Sequence, residues 1–121
     1  MKKILLIEDE KMMAEMYKEK FEREGLEVVL ALTAEEGLEL AKKEKPDLII
    51  LDILLPRKNG TFFLAEMKKD PEIAKIPVVA LSNYEYPETK KLALELGAKE
   101  YIIKTDFTPK EIVEKIKQYL E

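Results

Sequence analysis

Hydrophobic positions along the chain follow two alternating patterns. One is a short continuous apolar run, seen at Ile4–Ile7, Leu48–Leu51, Val78–Leu81 and Tyr101–Ile103, with a less pure run at Glu27–Leu32. Runs of this length, rich in Ile, Val and Leu, suit strands covered on both faces. The other pattern is longer and has helical spacing. Met13, Met16, Tyr17 and Phe21 share a face, as do Ala34, Gly37, Leu38 and Ala41. Gly60, Phe63, Leu64 and Met67 repeat it, Leu92, Ala93 and Leu96 do so briefly, and Ile112, Val113, Ile116, Tyr119 and Leu120 finish it. Each is an apolar stripe with charge opposite.

The residues between these segments agree with that reading. Thr33 with Glu36, and Thr108 with Glu111, have the spacing of capping boxes. Pro109 falls at a first helical position, where its missing N–H costs nothing. Gly25 and Gly97 stand where helices should end. The predicted order is a strand and a helix, repeated five times over residues 1–121 as one domain. Such alternation predicts a parallel sheet with helices on both faces. The five-stranded member of this doubly wound α/β class has strand order 2-1-3-4-5, the flavodoxin-like arrangement.

A chain of 121 residues is long enough for one packed core. Hydrophobic residues make up 46%, which excludes disorder. Charged residues reach 38%, but 21 basic against 25 acidic side chains leave a net charge of −4. That balance carries no electrostatic footprint for nucleic acid or an anionic membrane. No apolar run approaches the ~20 residues that span a bilayer, and Glu8 comes too early for a signal peptide. The expected location is the cytoplasm. Cysteine and histidine are both absent, so thiolate chemistry and the commonest general base are excluded. A metal would have to sit on oxygen ligands, which favours Mg²⁺, Ca²⁺ or Mn²⁺.

In an open α/β sheet the ligand site lies beyond the carboxyl ends of the strands, where strand order reverses. Glu8 and Asp9 follow the first apolar run, Asp52 the third, Ser82 and Asn83 the fourth, and Lys104 the fifth. Singly, most of these have ordinary readings: a solvated loop, a surface lysine, a loop hydroxyl. Asp52 is the exception, because it ends one of the most apolar runs in a central strand. Together, three carboxylates at one sheet edge repel each other, and raised pKa values or a bound cation relieve that. Mg²⁺ favours an oxygen site of this kind, shared with a phosphate. A carboxylate also serves as a nucleophile toward phosphorus, with a lysine and a hydroxyl holding the oxygens of the arriving group.

With these elements in order, the chain resembles the receiver domain of two-component response regulators, the single-domain chemotaxis type in particular. The resemblance runs from Lys3 to about Leu120. It is carried by Ile4–Glu10, Pro46–Asp52, Leu55-Pro56 with Asn59-Gly60, Val78–Ser82, Gly97-Ala98 and Tyr101–Lys104. It implies that Asp52 is a phosphoacceptor, taking a phosphoryl group from a sensor histidine kinase or phosphotransfer protein. Asp9 would be a direct Mg²⁺ ligand and Glu8 a partner through water, with Asp52 and the backbone carbonyl of Leu54 completing the set. Lys104 would pair with the phosphoryl group, and Ser82 would move toward it. Tyr101 would be the switch whose ring turns inward as Ser82 moves. Gly60 would supply a turn after the third strand that a side chain would block.

The readout face would be built from the fourth helix, the fifth strand and the fifth helix, with Tyr86 and Leu94 near it. It would serve a downstream protein target, with the chain a monomer or weak homodimer. A role on DNA would need a further module; the expectation is either a chain that acts by docking to a partner or a domain excised from a longer protein. Glu8 replaces the more frequent Asp, and Ser82 the more frequent Thr. Thr105 stands where the family usually has a proline, often cis, so a trans and differently placed Lys104 loop is expected.

Four other readings compete. A phosphorylation-independent interaction module on the same fold is weighed against the intact set Glu8, Asp9, Asp52, Ser82 and Lys104. An aspartate-nucleophile phosphatase usually carries a second acid two residues on, where this chain has Leu54. A flavin or nucleotide binder needs a Gly- or Ser/Thr-rich phosphate loop, where this chain has Glu8-Asp9-Glu10. Abundant Lys and Glu, with scarce Asn and Gln, also fit an engineered or thermophilic scaffold.

Overall fold

The computed structural model describes residues 1–53, 59–83 and 85–120. Five strands, β1 (Lys3–Ile7), β2 (Glu27–Ala31), β3 (Leu48–Asp52), β4 (Val78–Ser82) and β5 (Glu100–Ile103), form one sheet in the order β2-β1-β3-β4-β5. All four pairings are parallel. Helices α1 (Lys11–Arg23), α2 (Ala34–Glu44), α3 (Gly60–Lys68), α4 (Pro87–Glu95) and α5 (Pro109–Gln118) connect and cover them. This is the flavodoxin-like arrangement that the sequence predicts. No described helix is long and apolar enough to cross a membrane.

The continuous apolar runs are explained by two separate core layers. Leu5, Ile7, Ile49, Leu51, Val78, Ala80 and Tyr101 point to one side, against Ala34 and Ala41 of α2, Phe63, Leu64 and Met67 of α3, and Ala93 of α4. Ile4, Leu6, Leu48, Ile50, Val79, Leu81 and Ile102 point to the other, against Tyr17 and Phe21 of α1 and Ile112, Val113 and Ile116 of α5. Alternate residues of each strand thus feed opposite layers. Full burial of a side chain such as Phe63 or Ile116 contributes about 1.5–3 kcal/mol.

Local signals set most helix boundaries. Thr108 accepts from the Glu111 N–H, and the Glu111 carboxylate accepts from the Thr108 N–H, a complete capping box. At α2 only half of the expected box forms. Thr33 Oγ1 accepts from the Glu36 N–H, but the Glu36 carboxylate turns to the Leu32 N–H at 3.1 Å. Asn59 caps α3, its Oδ1 accepting from the N–H groups of Thr61 and Phe62. Gly25 and Gly97, with φ of 85° and 110°, follow the ends of α1 and α4.

Two expectations need correction. Leu92 is not part of a buried stripe: it is 43% exposed. The seam of α4 is narrower and turned by one residue, with Ala93 buried and Thr89 and Leu96 partly so. Gly60 opens α3 rather than sitting in a turn, with its N–H bonded to the Ile53 carbonyl at 2.9 Å, but the expectation that a side chain would be blocked there holds. A Cβ there would lie 2.9 Å from Ile53 Cα and 3.2 Å from the Asp52 carbonyl oxygen. The glycine is needed because helix and strand end touch backbone to backbone.

Candidate functional site

Parallel pairing brings the strand ends to one edge. Ile7 lies beside Leu51, Asp52 beside Leu81, and Ser82 beside Ile103. The residues at and just after those ends therefore gather without any long loop having to carry them. Glu8 continues β1, its N–H bonded to the Ala31 carbonyl at 3.0 Å, and Ile53 continues β3 through its N–H to the Leu81 carbonyl at 3.0 Å. These bonds fix the backbone on both sides of the site.

One carboxylate oxygen from each of Glu8, Asp9 and Asp52 lies within 4.8 Å of the others. Glu8 is buried, and Asp9 and Asp52 are half-buried. Lys104 enters this group from the far end of the chain. Its Nζ lies 2.8 Å from Glu8 Oε1 and 3.9 Å from Asp52 Oδ2. The second Glu8 oxygen, Oε2, accepts the Glu10 N–H at 3.2 Å. Glu10 had no signal in the sequence, because its contribution is a backbone group.

The electrostatics follow from this crowding. Burial acts to raise the Glu8 pKa, but hydrogen bonds with Asp52 and Lys104, the Lys104 charge and the Glu10 N–H together hold it below the usual carboxylate value. Burial pushes Asp9 upward, and its hydrogen bond to Glu8 and the Glu8 charge add to that. Burial opposes the charge on Lys104, yet the charge of Asp52 and the bond and charge of Glu8 outweigh it and keep the ammonium protonated. One lysine cannot neutralise three carboxylates, so the set favours a proton or a further cation. All the donors are oxygen, the chemistry that hard divalent ions take.

The hydroxyl and the aromatic ring expected nearby are both present. Ser82 is fully buried at the end of β4. Tyr101 is 8% exposed, its ring in the layer beneath α4. Burial raises the Tyr101 pKa, and its side-chain hydrogen bond with Ser82 acts against that rise. The ring is buried in this structure. Tyr17, which the sequence suggests only as a core residue, is close enough to feel the charges of Lys104 and Glu8.

The loop after β5 takes a 3₁₀ turn, Lys104–Asp106, with no cis peptide among the described residues. Thr105 is exposed, and Lys104 still turns into the acidic group. The expected carbonyl ligand Leu54 lies outside the described residues, as do Leu55 and Pro56.

Comparison with known proteins agrees with this geometry. The family model described as response regulator receiver domain matches residues 4–117. The alkaline phosphatase synthesis transcriptional regulatory protein PhoP of Bacillus subtilis (strain 168) is 35% identical over 119 residues, covering 98% of this chain and 48% of that protein. The chain thus spans about half the length of that curated relative. A CheY-like response regulator receiver domain protein from Methanospirillum hungatei JF-1 superposes with a TM-score of 0.90 at 33% identity, covering 99% of this chain and 94% of that one. The Mn²⁺-bound form of response regulator Rcp1 does so with a TM-score of 0.85 at 27% identity, over 99% and 94% of the two chains. With its strand order, its acidic edge and these similarities, the chain belongs to the response regulator receiver domain family.

Proposed function

We propose that the chain is a phosphoacceptor switch of a two-component phosphorelay, one receiver domain over residues 1–121, acting in the cytoplasm and not itself an enzyme. The observation that carries this reading is the meeting of three carboxylates and a buried lysine at one strand edge, with Asp52 half-buried among them. An Asp52 carboxylate oxygen attacks the phosphorus of a phosphohistidine on a sensor histidine kinase or phosphotransfer protein. The O–P bond forms, the N–P bond breaks, and the histidine leaves as imidazole and takes up a proton. The donor is external, since the chain has no histidine.

Asp9, Asp52 and the Leu54 carbonyl, with Glu8 through water, are the groups that would hold Mg²⁺. The oxygen-only donor set fits that ion, and a similar protein carries Mn²⁺. Bound there, the cation supplies charge screening for an incoming anion. Lys104 and the Ser82 hydroxyl bind the oxygens of the arriving group. Phosphorylation adds roughly −1.5 to −2 charge, so a bond from Ser82 that exists only in the modified state biases the protein between two states. Tyr101, joined to Ser82, passes that bias to α4.

The readout face is that of α4, β5 and α5. Tyr86, Leu92 and Leu94 expose apolar surface on or beside α4 for a downstream protein target. The chain acts there as a monomer or weak homodimer, without contacting nucleic acid or membrane. Attack by water on the phosphorus later returns Asp52 to its free form.

The test is incubation with acetyl phosphate, or with beryllofluoride, in the presence of Mg²⁺. Modification of wild type at Asp52, and none of Asp52→Asn, is the expected result. Equal behaviour of the two proteins removes Asp52 as acceptor.

A further inference from the structure

Lys104 is ion-paired with two acids but hydrogen-bonded to only one of them. Its Nζ makes a 2.8 Å contact with Glu8 Oε1 but stands 3.9 Å from Asp52 Oδ2. The Glu8 carboxylate is fixed from its other side as well, by the Glu10 N–H at 3.2 Å. Both partners are buried, Glu8 at 3% exposure and Lys104 at 8%. A charge-assisted hydrogen bond in such surroundings is among the stronger polar contacts. Side-chain length makes this contact possible. An aspartate at position 8 would end one carbon–carbon bond earlier, about 1.5 Å short, and would not reach Nζ at bonding distance from the same backbone.

We propose that Glu8 is a positioning residue that holds Lys104 away from Asp52 at rest, so that the Glu8–Lys104 ion pair has to part before the ammonium can bind a group arriving on Asp52. The proposal rests on the assignment of Asp52 as acceptor. A ligand moves an equilibrium only by its differential affinity for the two states. An anion on Asp52 therefore has to offset the loss of the Glu8 contact before it gains Lys104. Glu8 sets the threshold of the switch, and a shorter or uncharged side chain at that position lowers it.

The experiment titrates beryllofluoride, a tetrahedral mimic of a phosphoryl group, into the full chain at saturating Mg²⁺. Wild type, Glu8→Asp, Glu8→Gln and Asp52→Asn are compared, with bound ligand followed by ¹⁹F NMR. The Lys104 ammonium is followed in parallel in ¹⁵N-lysine-labelled protein, its resonance assigned by its loss in Lys104→Arg. Glu8→Asp keeps the charge and removes only reach. It should half-saturate at about tenfold lower beryllofluoride than wild type. Before any ligand is added, its Lys104 resonance should already lie toward the position that wild type reaches when bound.

Glu8→Gln keeps the shape and removes the charge. It should show the same early displacement of Lys104; the matching displacement in Glu8→Asp, where the charge is kept, is the part that bulk charge alone would not produce. Equal or weaker beryllofluoride binding by Glu8→Asp, or a Lys104 resonance that neither variant moves, overturns the proposal. A wild type that takes no beryllofluoride, or an Asp52→Asn protein that takes as much, overturns the acceptor assignment and this proposal with it. The two failures are therefore distinct.

Discussion

Gly60 meets Ile53 so closely that a Cβ at position 60 would sit 2.9 Å from Ile53 Cα and 2.7 Å from Ile53 Cδ1. The Ile53 side chain can rotate away, but the backbone atom cannot. Gly60→Ala should therefore cost about 1–3 kcal/mol of stability through overpacking, even though alanine is the better helix former. Urea unfolding checks this. An unchanged midpoint would mean that α3 slides off the end of β3 without penalty.

Lys104→Met leaves Glu8 buried beside two other carboxylates without its cation. Breaking a buried pair from one side costs on the order of 3 kcal/mol. The variant should unfold at lower urea than wild type in the absence of divalent ions, and Mg²⁺ should narrow the difference. A variant as stable as wild type in EDTA would show that the three acids tolerate one another unaided.

Mg²⁺ should raise the thermal midpoint of wild type, because an ion that binds only the folded chain stabilises it. The gain is about 2.7 kcal/mol at a hundredfold excess over Kd. Chelation should reverse it. Asp9→Asn should remove most of the gain, since Asp9 is one of the three acids that would hold the ion. Calorimetric scans with and without Mg²⁺ read both effects.

On α4, Leu92 and Ala93 are neighbours with opposite fates, one 43% exposed and the other fully buried. Leu92→Ser should change stability by less than about 0.5 kcal/mol. Ala93→Leu should cost about 1–3 kcal/mol by overfilling the layer beneath the helix. The reverse ranking in denaturant titrations would place the seam where the sequence pattern alone suggests it.

Tyr119 donates a hydrogen bond to Glu100, and burial together with that bond and the Glu100 charge pushes its pKa up to about 12. The folded state thus keeps this proton at a pH where an unfolded tyrosine, ordinarily near 10, has lost it. The resulting stability is present below pH 10 and disappears as pH rises through 12. The midpoint difference between wild type and Tyr119→Phe should be constant below pH 10 and shrink between 10 and 12. A difference that grows over that interval would reverse the sign argued here.

Strand order and the gathering of Glu8, Asp9, Asp52, Ser82 and Lys104 are legible in the sequence for a simple reason. Apolar runs mark the strands, parallel topology aligns their ends, and whatever polar residue follows each run is carried to the same edge. The choice of Lys104 between two acids is not legible. Its two ends are 96 positions apart and leave no local pattern. Leu92 misleads because three apolar residues at helical spacing look alike wherever the buried seam is centred. The tightness at Gly60 is hidden because it comes from a meeting of two backbones, and composition carries no trace of that.

Among the described residues, the two layers of packing on either side of the sheet share no side chain. Tyr101 belongs to the layer that contains Ala93 of α4, while its neighbour Ile102 belongs to the layer held by α1 and α5. A tug on Ser82 that reaches the tyrosine is therefore felt lopsidedly. In the proposed switch, a load carried by the tyrosine thus falls on the layer that holds α4, while the layer of α1 and α5 is built from a separate set of side chains.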